Sequence, residues 1–251
     1  MNKSIINKFL RPFGAEVHGL GYIEQQSKNS FKNDPFMEQS LFFEGKKVNE
    51  IIDAGANVGN VSQKYATLFP NAKIHAFEPI PEAILQFKEK HSGNDKVFLN
   101  EKGLSETAGK LTLNINKSID TSSFLETVQI GATSDKSCET ERVLVADITT
   151  VDEYCLKNNI NHIDILKMDT QGSELNILKG AEKMLSDGKI SLIFTEIYFK
   201  KQYLNQPDFY DIATFLRKYD YHLKDIYEAY YNESQILWGD AIFFHSKHVK
   251  H

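Results

Sequence analysis

The chain has 251 residues, of which 41% are hydrophobic and 25% charged, with a formal net charge of −5 and two cysteines. That length supports one substantial core with additions and does not require a second full domain. The acidic balance, with no Lys/Arg cluster interleaved with aromatics, argues against a nucleic-acid partner, and Cys138 and Cys155 are too few for a disulfide framework, so a reducing cytoplasm is the expected setting.

In chain order, residues 1–11 lack a signal-peptide core and cleavage site, and no apolar run approaches the length of a transmembrane helix. They read as a surface helix, with peripheral membrane contact left open. Pro12, Gly14, Gly19 and Gly21 break up the pattern up to about 47. A short helix is expected within 34–43, and residues 1–47 are read as a cap or lid before a domain at 48–251. The apolar strand 48–53 ends at Asp53. A glycine-containing turn follows, and Val58, Val61, Tyr65 and Leu68 then recur at helical spacing until Pro70. A second strand, 73–77, ends at Glu78, and Pro81 suits the first position of the next helix. Strand 97–100 comes next. Residues 111–115 alternate like a half-exposed strand outside the main sheet. They fall in an inserted hairpin and loop region, 105–141, whose polar segment 118–140 is assigned to the acceptor side of a cleft.

Downstream, 142–146 reads as a strand. A helix starts near Val151, capped by Thr149 or Thr150. Strand 163–168 ends at Asp169. One helix should run from Ser173 to Gly188 with Leu175, Leu178, Ala181 and Leu185 on its core face. Strand 191–195 ends at Glu196, helix 208–219 follows, and strands 221–227 and 241–245 close the chain. His245, His248 and His251 are read as part of a mobile tail.

The first turn carries chemistry. A dinucleotide fingerprint reads G-x-G-x-x-G, its second glycine admitting a pyrophosphate; here the pattern is Gly55-x-Asn57-x-Gly59. Asp53, at the strand end, would repel phosphate and hold an ammonium group. Glu78 lies 23 residues after Gly55, where an acid can grip ribose hydroxyls. S-adenosylmethionine (SAM) offers an ammonium, a cationic sulfur and a ribose, without phosphate. A nicotinamide-dependent oxidoreductase is the competing reading, and a SAM-binding module without activity is the third.

Three segments together make the reading specific: Asp53-Ala54-Gly55-Ala56-Asn57-Val58-Gly59; Phe77-Glu78-Pro79; and Leu166-Lys167-Met168-Asp169-Thr170-Gln171-Gly172-Ser173-Glu174 with Leu178-Lys179-Gly180-Ala181. They resemble the FkbM family of SAM-dependent methyltransferases, which commonly has an acid where Gln171 stands. The resemblance implies an α/β, Rossmann-like class I methyltransferase fold: a mostly parallel seven-stranded sheet, order 3-2-1-4-5-7-6, strand 7 antiparallel, with helices on both faces. It implies SAM as cofactor, held by Asp53, Gly55, Ala56, Asn57, Gly59, Glu78, Pro79, Ser105 and Asp169. It also implies O-methylation of a saccharide or other biosynthetic small molecule.

In that strand order Glu78, Asp53, Asp169 and Glu196 end adjacent strands, and such a group of like charges calls for a cation. Asp169 and Glu196 are the leading candidates for the acceptor's general base, with Glu174 and His222 behind them. Lys167, two residues before Asp169, needs a partner in a strand buried on both faces. Asp169, Glu174 or Glu196 could provide it, unless the side chain snorkels to water. Tyr198, Phe199, Tyr203, Tyr230, Tyr231 and Trp238 could form a stacking surface for the acceptor. No strict metal-ligand pattern is present and no metal is expected; the oligomeric state is left open.

Overall fold

The computed structural model describes residues 34–128 and 136–248. The chain divides into two units, Met1–Gly45 and Lys46–His251. In the first, the expected short helix is α1, Pro35–Phe42. It is capped by Asp34, whose side chain accepts from Phe36 N (2.9 Å) and Met37 N (3.3 Å). The remainder of the expected cap up to residue 33, including the N-terminal helix at 1–11, lies outside the described residues, as does 129–135 of the long loop.

The second unit alternates strands and helices: β1 Glu50–Ala54, α2 Asn60–Leu68, β2 Lys73–Phe77, α3 Pro81–Lys90, β3 Val97–Asn100, β4 Gly103–Leu104, β5 Gly109–Asn116, β6 Thr140–Thr149, α4 Val151–Lys157, β7 Ile163–Met168, α5 Glu174–Lys179, α6 Glu182–Ser186, β8 Ile190–Tyr198, α7 Phe209–Arg217, β9 Tyr221–Asn232 and β10 Gln235–His245. The main sheet has the order β3-β2-β1-β7-β8-β10-β9. β10 is antiparallel to both of its neighbours, and the remaining contacts between neighbours are parallel. This is the expected order 3-2-1-4-5-7-6. β1 lies at the switch point, where the winding reverses and a crevice opens beyond the strand ends.

Six buried residues in a row, four of them apolar, with Asp164 held by backbone N–H groups and Lys167 by Asp53, make β7 buried on both faces, the signature of a covered parallel strand. On one face Ile52, Leu166, Met168, Ile193 and Phe243 pack with Val151, Ile177, Leu185 and Ile212 from the helices. Truncating a fully buried member such as Leu166 to Ala should cost about 2–5 kcal/mol. β4, β5 and β6 form a separate three-stranded sheet, order β4-β6-β5, which reaches beyond the expected 105–141 region at both ends; its inner residues Leu113, Ile115 and Ala146 pack on Ile80 and Ala83 of the α3 segment.

The structure corrects the sequence reading in several places. The single helix expected between Ser173 and Gly188 is broken into α5 and α6 around Gly180. A side chain on Gly180 would lie 2.1 Å from the Ser105 carbonyl oxygen. Asp152 then caps the new start, accepting from Lys183 N (2.9 Å) and Met184 N (3.0 Å). The last hairpin is longer than expected, so Tyr230, Tyr231 and Trp238 belong to strands. The C-terminal histidines are not a free tail: His245 ends β10, His248 Nε2 lies 3.0 Å from the Gly188 carbonyl oxygen, and His251 is outside the described residues.

Candidate active site

The crevice beyond the carboxyl ends of β1, β2 and β7 holds a cavity of about 380 Å³, within the range of small-molecule sites. Its floor is the turn after β1. Gly55 (φ +71°) and Asn57 (φ +48°) are left-handed. At Gly55 the requirement for glycine is steric as well: an added Cβ would fall 1.9 Å from the Asp169 carbonyl oxygen. Gly59 (φ +83°) serves packing instead, since a Cβ there would meet His91 and Phe87 at 2.5–2.8 Å, and it does not line the cavity.

Four of the turn's N–H groups are already engaged. Gly55 N (3.1 Å) and Ala56 N (3.0 Å) donate to the Phe77 carbonyl, Asn57 N to Glu78 Oε2 (2.8 Å), and Gly59 N to the Ala56 carbonyl (2.8 Å). A pyrophosphate cradle needs such groups free. Glu78, only 4% exposed, also accepts from Ile80 N through Oε1 (2.8 Å). Each oxygen keeps a lone pair for a ribose hydroxyl. Burial pushes the Glu78 pKa up, against the two N–H donors that stabilise its charge. Ala56, Asn57 and Pro79 line the same cavity, whereas Ser105 is buried beside it; its neighbours Gly103 and Leu104 form that part of the wall.

Several expected site residues stand elsewhere than expected. Asp53, 0% exposed, lies behind the wall. Its Oδ1 is 3.0 Å from Lys167 Nζ and its Oδ2 accepts from Ser62 Oγ at 2.7 Å. The two strands put Asp53 and Lys167 side by side in register, which no local pattern reveals. So Asp53 does not reach a ligand ammonium in the cavity, and it, not Glu174 or Glu196, is the principal partner of Lys167. Lys167 Nζ also donates to the Gly55 carbonyl (3.0 Å) and lies 3.9 Å from Asp169 Oδ2. Burial opposes its charge, but Asp53 and then Asp169 outweigh that and the pKa is raised. The side chain is a fixed cation and cannot serve as a base. Glu174, also 0% exposed, is a buttress: Oε1 accepts from Thr170 N (2.8 Å), Thr170 Oγ1 (2.9 Å) and Gly172 N (3.3 Å), which shapes the turn after Asp169. His222 pairs with Phe244 and, through it, sits level with Leu192 near the start of β8, at the opposite end of the sheet from the cavity.

Asp169 and Glu196 do meet at the cavity, and Gln171 joins them. Gln171 Nε2 donates to Asp169 Oδ1 (3.2 Å) and to Glu196 Oε2 (3.0 Å). Its Oε1 lies 2.9 Å from Tyr203 Oη and 3.2 Å from Tyr198 Oη, and Tyr198 Oη donates to Glu196 Oε2 at 2.6 Å. Burial, then the charges of Asp169 and Glu174, push the Glu196 pKa well up. Asp240, in register with Glu196 on β10, is raised to about 7 by burial and then by Asp169. The sequence reading missed Gln171 as a participant and Asp240 altogether. Tyr198 was placed only as a stacking ring, although it stands two residues from Glu196 on one strand and so shares its face. From the long loop, Asp120 and Phe124 complete the cavity, Asp120 accepting a hydrogen bond from Asn57 Nδ2. Tyr230 and Trp238 stack on each other, ring centroids 4.1 Å apart. Among the described residues no group of three or more His, Cys, Asp and Glu side chains is placed to hold a metal ion, and no helix is long and apolar enough to cross a membrane.

This strand order, with a glycine turn and a buried acid, Glu78, at its switch point, is the class I fold of SAM-dependent methyltransferases. Residues 53–223 match the methyltransferase FkbM domain, and the chain belongs to that family. Among its relatives are 2-O-methyltransferase NoeI of Sinorhizobium fredii, 24% identical over 162 residues that span 62% of this chain and 66% of that protein, and methyltransferase sdnD of Sordaria araneosa, 30% identical over 156 residues, 53% and 60% respectively. The matches thus span less than two thirds of either relative's length. Magnesium protoporphyrin IX methyltransferase (ChlM) of Synechocystis PCC 6803, solved with bound SAM, aligns over 97% of each chain at 10% identity and TM-score 0.48.

Proposed function

We propose that the protein transfers the methyl group of SAM to a hydroxyl of a small molecule, a saccharide being the favoured class, in the cytoplasm. The observation that carries this is the cavity wall. Gly55, Asn57 and Glu78 offer carbonyl and carboxylate acceptors on one side, Asp169 and Glu196 add two acids on the other, and Lys167, the one cation lining it among the described residues, is already paired with Asp53. A cationic, phosphate-free nucleoside suits such a wall; a pyrophosphate does not. SAM is consumed in the reaction and supplies a methyl group activated by its positive sulfur. Glu78 would take the ribose hydroxyls, the Gly55–Asn57 turn would face the nucleoside, and the Asp169 edge would face the amino-acid end. The protein's own contribution is alignment and exclusion of water, up to roughly 7–11 kcal/mol for ideal geometry. The naming of its relative NoeI as a 2-O-methyltransferase supports a hydroxyl acceptor, and the loop bearing Asp120 and Phe124 is the proposed acceptor side. Both cysteines are free, in keeping with a reducing compartment.

The test is transfer of a labelled methyl group from SAM to a panel of mono- and oligosaccharides, with and without sinefungin. Sinefungin-sensitive labelling of a sugar hydroxyl is the expected result. SAM binding without transfer to any hydroxyl compound would favour a binding module, and labelling at nitrogen or carbon would overturn the acceptor assignment.

A further inference from the structure

Glu196 is held asymmetrically. Oε2 receives both Tyr198 Oη (2.6 Å) and Gln171 Nε2 (3.0 Å), whereas Oε1 has no hydrogen-bond partner among the described residues. Two donors on one oxygen fix the carboxyl plane and leave the other oxygen to carry or take a proton in a side chain that lines the cavity. Acidic groups face it from every side: Asp169 after β7, Glu174 from the start of α5, and Asp240 from β10 with Glu228 of β9 beyond it. Tyr203 and Tyr198 are neutral there, and Lys167 is engaged by Asp53.

We propose that Glu196 is the base that receives the acceptor's hydroxyl proton, that it is neutral in the donor-free protein, and that arrival of the cationic donor in the shared cavity expels its proton and so arms it, with Gln171 as the residue that positions it. The inference rests on the donor reading above. In the transfer, the acceptor oxygen bonds to the methyl carbon as the carbon–sulfur bond breaks and sulfur keeps the electron pair. The O–H bond breaks and its proton passes to Oε1. Without donor there is no charged base, so the site does not deprotonate an acceptor to no purpose. The raised Glu196 pKa agrees with this order of events: a carboxyl with a raised pKa stays protonated as the pH climbs past its ordinary value, until a nearby positive charge brings it down.

The experiment is isothermal calorimetry at pH 7 in buffers of different ionisation enthalpy, with SAM and with S-adenosylhomocysteine, which lacks the positive sulfur. The expected result is release of a fraction of a proton with SAM and distinctly less with S-adenosylhomocysteine, the SAM value shrinking as pH rises. Glu196→Gln should still bind SAM without the extra release. Asp240→Asn should keep it, and Gln171→Leu, which removes one donor from the carboxylate, should shift the release to higher pH. Equal proton counts for SAM and S-adenosylhomocysteine overturn the proposal, as does a release that survives in Glu196→Gln or vanishes in Asp240→Asn. Absence of any SAM binding to the wild type sinks the donor reading itself, and this inference with it.

Discussion

Asp53 and Lys167 form an ion pair shut off from water, with side-chain exposures of 0% and 4%. Breaking such a pair from one side strands a buried charge, at a cost of about 3–5 kcal/mol. Asp53→Ala should therefore lower the urea midpoint severely and lose SAM binding through that route, not by removing a ligand contact. An unchanged midpoint with lost binding would restore Asp53 to the site. Glu78 is the cleaner probe. Glu78→Gln keeps an oxygen acceptor for one backbone N–H but loses charge toward the ribose, so SAM affinity should drop about tenfold to a hundredfold in calorimetry. Wild-type affinity would remove Glu78 from the donor site. The difference between these acids explains what could be read from the chain. Glu78 follows a glycine turn at a diagnostic spacing, a local signal. The burial of Asp53 depends on Lys167, more than a hundred residues away, and becomes visible only when β1 and β7 are in register. Gln171 and Asp240 were hidden for the same reason, since their meanings come from Glu196 across the sheet.

At the scale of elements, strand and helix existence followed from apolar period and from punctuation by Pro70, Pro81 and the Thr150 cap, whose hydroxyl accepts from Glu153 N at 3.0 Å. The misread element, one helix instead of α5 and α6, has a tertiary cause. The core stripe Leu175–Leu178–Ala181–Leu185 is continuous in sequence, but Gly180 must let the Ser105 backbone approach. Gly180→Ala should lower the melting temperature by several degrees, at about 2–4 °C per kcal/mol in a domain of this size, because the clash is with backbone that cannot rotate away. Gly55→Ala should act more sharply, combining a backbone clash at 1.9 Å with φ +71°. A protein that melts normally and binds SAM after Gly55→Ala would contradict the close approach of the β1 turn to the Asp169 carbonyl. The hairpin of β9 and β10 ran further than its sequence suggested because Tyr230 and Trp238 stack across strands, a cross-strand gain invisible along one strand.

For the whole molecule, the sheet gathers acids at one edge and leaves them short of cations. Glu78, Glu174 and Glu196 all have pKa values raised by burial. Raised carboxyls contribute stability that is fully present below their ordinary pKa and lost as pH rises through the folded-state values. The donor-free protein should therefore lose stability progressively above about pH 5, and saturating SAM should restore more of it at pH 8 than at pH 5. Melting curves across that range check this, and a SAM-induced rise that shrinks with pH would contradict it. The most direct measurement is calorimetric titration of the wild-type protein with SAM beside NAD under identical conditions. A wall of carboxylates with four of its turn N–H groups already engaged predicts one-site SAM binding and no heat above dilution with NAD. Saturable NAD binding, or none with SAM, would contradict the account.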